Sequence, residues 1–201
     1  MVNSERNFFL YFAMLKEGQL VKAIPLEGGQ VLCRYPRWQD IPSYVKMCQI
    51  LHRERVRAYH ADTDFALGCQ RLAQIMVEVE TGQASHLLLE VDGRIIGEGR
   101  MAPRSRVMGV LGIKIIGEYQ GRRLGTALMG ILEEEARKME LQQIYLTVFA
   151  NNTPARRLYE KAGYREVGRI AEWFSEEDED GHIALVDKID MMKRLEPETR
   201  K

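Results

Sequence analysis

The stretch GEYQGRRLGTALMGILEEEAR, Gly117 to Arg137, joins an aliphatic run, RVMGVLGIKII (Arg106–Ile116), to a long amphipathic segment through a turn of glycines and arginines. From Arg122 onward Leu124, Leu128, Ile131, Leu132 and Met139 recur at steps of three and four, with Glu133, Glu134 and Arg137 on the other side. That period predicts a surface helix packed on a sheet. A helix N-terminus offers unpaired N–H groups and a partial positive charge, so a preceding turn stripped of side chains can seat phosphate oxygens. Gly121 and Gly125 give access to the main chain, and Arg122 and Arg123 add fixed positive charge. The same residues also fit an ordinary loop, in which Gly121 turns the chain and Gly125 lets the helix pack closely. Two familiar phosphate motifs fail: no Gly-Lys-Ser/Thr ends the turn, and the dinucleotide fingerprint lacks its third glycine and an early βαβ unit.

Working outward, LVKAIPLEGGQVLCRY (Leu20–Tyr35) reads as two strands around Gly28-Gly29, and SHLLLEVDGRIIGEGRM (Ser85–Met101) as a hairpin turned at Asp92-Gly93. Between them, Asp40 with Pro42 opens a helix to about Arg57, and Thr63 opens a second with Phe65, Leu72, Ile75, Met76 and Val79 on one face. After the central helix, QQIYLTVFA (Gln142–Ala150) reads as a strand. NNTPARRLYEKAG (Asn151–Gly163) then reads as a helix with Thr153 as cap, Pro154 in its first turn and Gly163 past its end. YREVGRI (Tyr164–Ile170) and IALVDKIDMMKRL (Ile183–Leu195) supply two last strands around the acidic run SEEDEDG. The order is β, two helices, three strands, helix, strand, helix, two strands. It predicts an α/β or α+β sheet of mixed direction with helices on its faces.

Composition narrows the function. Lys plus Arg and Asp plus Glu each number 29, so no global field draws the chain to nucleic acid or to an anionic membrane. Cys33, Cys48 and Cys69 are odd in number and widely spaced, which argues against a disulfide framework and a zinc site and for a reducing cytosol. FFLYFAML, Phe8 to Leu15, is too short to span a bilayer and reads as a segment packing on the domain or on a second copy.

Two motifs together resemble a known family. Gln120-Gly121-Arg122-Arg123-Leu124-Gly125 is similar to the Gln/Arg-x-x-Gly-x-Gly/Ala signature of the GNAT N-acetyltransferase superfamily. NTPARRLYEKAGY, Asn152 to Tyr164, resembles that family's Asn-x-x-Ala-x-x-Leu-Tyr-x-x-x-Gly-Phe/Tyr, one strand later and in the right order. The likeness runs from about residue 29 to 195, giving a domain over 26–197 behind an extension over 1–25. It implies a mostly antiparallel sheet with one splayed parallel pair. It also implies acetyl-CoA as co-substrate, with pantetheine along Ile113, Lys114 and Ile115 and the pyrophosphate on the amides of Gly121 to Thr126, so that Gln120, Gly121, Arg122, Arg123, Leu124, Gly125 and Thr126 form the cofactor turn. Asn152 takes the motif Asn's place, or serves only as a helix cap. Tyr159 takes that of the motif Tyr, the acid for the departing thiolate.

The likeness is incomplete at two points. Where several members carry a Glu on a splayed strand, Ile113, Ile115 and Thr147 stand here, so no base is named. Glu98 or Glu78 could act through water, although Glu98 reads more readily as an outward-facing strand residue. Arg123 replaces the motif's first glycine. The acceptor implied is a primary amine of a small molecule, such as a polyamine or amino acid, or of a protein. SEEDED (Ser175–Asp180) would favour a cationic one, or is only a solvated turn. A non-catalytic acetyl-CoA sensor is the alternative function, and a homodimer is neither required nor excluded.

Overall fold

Two tight turns build the first half of the sheet. At Gly28, with φ of 82°, the chain folds Leu20–Leu26 (β1) back on Gly29–Arg34 (β2) as an antiparallel pair. At Asp92 and Gly93, with φ of 47° and 77°, it turns Ser85–Val91 (β3) into Arg94–Pro103 (β4). Positive φ at both central residues is what a two-residue hairpin needs, and Asp-Gly supplies it at low cost. The computed structural model describes residues 16–54, 64–177 and 182–196. Phe8 to Leu15 lie outside them, and β1 carries residues on both sides of position 25.

Strands Met108–Ile115 (β5), Gln143–Phe149 (β6), Arg165–Glu177 (β7) and Ile183–Arg194 (β8) complete one sheet in the order β1-β2-β3-β4-β5-β6-β8-β7. β5 and β6 run parallel, whereas β2–β3, β6–β8 and β7–β8 pair antiparallel. The mixed, mostly antiparallel α/β fold is therefore as the sequence predicts.

Among the described residues four α-helices accompany the sheet: Ile41–Arg53 (α1), Phe65–Glu80 (α2), Leu124–Lys138 (α3) and Thr153–Lys161 (α4). Local chemistry corrects several expected details. α1 starts after Asp40, but that carboxylate accepts from Arg34 Nη1 and Nη2, each at 2.7 Å, instead of capping the helix. α2 is capped by Asp64, which accepts from Leu67 N at 2.7 Å, and Arg57 and Thr63 lie outside the described residues. Leu72, Ile75, Met76 and Val79 are buried as expected, but Phe65, in the first turn, is 59% exposed. Glu133, expected on the solvent side of α3, is buried and receives both of its oxygens' bonds from Lys193 Nζ at 2.8 Å. The helical period could not show that a cation from strand β8 would meet it. Of the acidic run, Ser175, Glu176 and Glu177 belong to β7, and 178–180 lie outside the described residues.

The chain divides into two compact units, one of residues 1–100 and 113–128, the other of 101–112 and 129–201. The first contains β1–β3, α1, α2, the end of β5 and the start of α3, around a core that includes Leu51, Leu72, Leu87 and Leu89. The second contains β6–β8, α4 and most of α3, around Leu132, Ile144, Leu146, Ile189 and Met191.

Candidate active site

β5 keeps β6 as its partner from Met108–Gln143 to Val110–Tyr145, and the pairing stops there while β5 runs on to Ile115. Parallel strands that part after three residues leave main-chain groups of the longer one for another occupant. Two bonds fasten the end of β5 in place: Ile116 N donates to Ile96 O at 3.0 Å, and Gln120 Nε2 donates to Ile115 O at 2.8 Å. A short 3-10 turn, Gly117–Tyr119, comes next, its first amide held by both oxygens of Glu54 at 2.9 and 3.0 Å.

From here the chain is shaped by backbone rather than by side chains. Gly121 has φ of 74°, and a Cβ built on it would meet nothing within 4 Å, so the turn is open above its main chain. Arg123 has φ of 63°, the left-handed conformation in which the family signature has glycine. A side chain there costs about 1–2 kcal/mol in strain. The first intrahelical acceptor of α3 is Arg123 O, bonded by Ala127 N at 3.1 Å, which leaves the amides of Leu124, Gly125 and Thr126 without partners inside the helix. Gly121, Arg122, Arg123 and Thr126 are exposed, and the Arg122 guanidinium lies 5.3 Å from the Tyr119 ring centre. Leu124 points its side chain into the core, so only its amide can serve a ligand. Open amides, a helix start and adjacent guanidiniums fit a pyrophosphate.

The same unit holds a cluster that sequence reasoning placed wrongly. Glu98 on β4 is not outward-facing: it is 5% exposed. Its Oε2 accepts from Tyr44 OH at 3.2 Å and meets His86 Nε2 at 2.9 Å, and its Oε1 accepts from Lys114 Nζ at 3.0 Å. Burial, then the charge of Glu98, push the Tyr44 hydroxyl far above the ordinary phenol range, so it is a standing donor. The Glu98 carboxylate accepts, so His86 Nε2 is the donor of their contact, and among the described residues His86 Nδ1 is buried without a partner. The other carboxylate considered, Glu78, accepts twice from Arg100 at 2.9 and 3.1 Å and from Gln74 at 3.3 Å. Partial burial raises its pKa, but the bonds from Arg100 and Gln74 outweigh this and hold it below the usual carboxylate value. No alternation could have flagged Glu98, because both faces of β4 are buried from Ile95 to Gly99, and its partners come from separate elements and leave no spacing to find.

In the second unit, Asn152 caps α4 by accepting from Ala155 N at 3.2 Å, so Thr153 is the first helical residue rather than the cap. Tyr159 is 8% exposed, its ring 6.0 Å from that of Tyr164 and tilted 59°. Burial raises its pKa, which keeps the hydroxyl protonated at neutral pH. Thr147 on β6 is exposed. Among the described residues no helix is long and apolar enough to cross a membrane, and no three His, Cys, Asp or Glu are grouped to hold a metal.

Comparison with known proteins places this architecture. The catalytic subunit of the N-terminal acetyltransferase B complex of Arabidopsis thaliana is 31% identical over 124 residues, 61% of this chain and 64% of that protein, so the chain spans a little under two thirds of it. Among solved structures, Mycobacterium smegmatis RimJ in complex with CoA-disulfide superimposes with a TM-score of 0.69 at 18% identity, covering 88% of each chain. RimL, a ribosomal L7/L12 alpha-N-protein acetyltransferase in complex with coenzyme A, gives 0.71 at 9% identity over 87% of this chain and 98% of its own. At those identities the two structures show the fold. Residues 44–164 match the Acetyltransferase (GNAT) family over more than half of the sequence, and the chain belongs to that family.

Proposed function

We propose that the protein transfers an acetyl group from acetyl-CoA to a primary amine by direct attack. The observation that carries the reading is the strand, turn and helix from Ile113 to Thr126: a strand end parted from its parallel neighbour, leading into open amides at a helix start. When bound, acetyl-CoA supplies the activated thioester. The main chain of Ile113–Ile115 would hold the pantetheine arm, the amides from Gly121 to Thr126 the diphosphate, with Arg122 and Arg123 adding charge. A main-chain N–H near Ile115 would polarise the carbonyl. Tyr159, kept protonated by burial, suits the acid that meets the leaving sulfur. Asn152 is a capping residue that sets the start of the helix carrying Tyr159.

The Arabidopsis relative belongs to an N-terminal acetyltransferase complex and RimL is an alpha-N-protein acetyltransferase, which makes a peptide α-amine a reasonable acceptor class beside small amines. The balanced formal charge supports either over a nucleic acid. The experiment is thiol release from acetyl-CoA against a panel of amines and short peptides. Tyr159→Phe should lower kcat by roughly 100-fold or more, the scale of a lost general acid, while acetyl-CoA binding persists. Wild-type turnover in that variant would remove Tyr159 from the chemistry. Acetyl-CoA binding with no thiol release for any amine would favour a sensor instead.

A further inference from the structure

Three neighbouring strands carry one row of ionisable side chains on the face that Tyr44 of α1 reaches: His86 on β3, Glu98 on β4 and Lys114 on β5. The row is graded in exposure, the side chains of His86 and Glu98 being 5% and 7% exposed and that of Lys114 28%. Its negative charge is therefore buried and its positive charge lies at the open end. Tyr44 and His86 hold Oε2, so Oε1 is left to anchor the ammonium. Behind them Glu78 and Arg100 neutralise each other. Both internal carboxylates that could take a substrate proton are thus occupied by donors.

An amine acceptor arrives as an ammonium and must lose a proton before it can attack. A carboxylate base is one solution. A fixed cation is another, because a like charge a few ångströms away disfavours the charged form of a bound amine. We propose that Lys114, pinned by Glu98, is that cation, lowering the proton affinity of the bound acceptor so that its proton passes to water and the nitrogen lone pair is freed. The inference rests on the acetyl-transfer reading, which brings the acceptor to the end of β5. In the reaction the freed pair forms the C–N bond, the nitrogen gives up its extra proton to water, the C–S bond breaks with its electrons on sulfur, and the sulfur takes a proton from Tyr159, which water restores, to leave as thiol. With Glu98 cancelling part of the field, the expected shift of the bound amine is about one pH unit, a tenfold change in its free-base fraction.

The test is the pH dependence of kcat, which reports groups in the bound complex, measured by thiol release with an alkylamine and with a short peptide at saturating acetyl-CoA. Lys114→Met should move the acid limb up by about one unit and so cost about tenfold at pH values on that limb. Lys114→Arg, which keeps the cation, should hold the limb near its wild-type position. An acid limb unmoved in Lys114→Met, or moved equally in both variants, overturns the proposal. Absence of thiol release by the wild-type protein would count instead against acetyl transfer itself.

Discussion

The turn from Gly121 to Thr126 and the buried row beneath Lys114 sit in the same unit of the chain and are made in opposite ways. The turn is exposed, contiguous and built from main chain: a glycine and an arginine at positive φ, then helix amides without internal partners. The row is buried and built from side chains of α1, β3, β4 and β5, separated in sequence by up to 70 residues between Tyr44 and Lys114. One region should tolerate change in its side chains and be sensitive to backbone shape. The other should behave in reverse.

The sharpest way to break this contrast is to remove the centre of the row. Glu98→Ala removes the carboxylate on which the bonds of Tyr44, His86 and Lys114 converge, and should destabilise the fold by about 3 kcal/mol in denaturant unfolding. A loss below about 1 kcal/mol would mean that the row is not a cohesive unit. At the turn the expected effect is smaller and of opposite sign. Arg123→Gly removes a side chain from the left-handed region and should raise stability by about 1 kcal/mol, read as a higher midpoint at unchanged slope. A lower midpoint would show that the arginine's contacts matter more than its strain.

The same contrast explains what could be read in advance. The fold was legible because each local signal agreed with its neighbours: Asp92-Gly93 between aliphatic runs, the three- and four-residue spacing after Leu124, and the helix stop at Gly163. The open turn at Gly121 was legible because glycine placement encodes main-chain geometry directly. Glu98 was not, since whether a strand carboxylate is buried depends on donors from other elements. Glu133 was misread for the same reason, its partner Lys193 lying 60 residues away. At Asn152 the sequence left two roles open, and the bond from Ala155 N shows its side chain capping the helix.

Isothermal titration of the purified protein with acetyl-CoA tests the central claim most directly. The account predicts saturable binding at one site per chain, weakened roughly tenfold or more in Gly121→Val, whose branched side chain would stand over the open amides at a backbone angle of 74°. No saturable uptake of acetyl-CoA or CoA by the wild-type protein would contradict it.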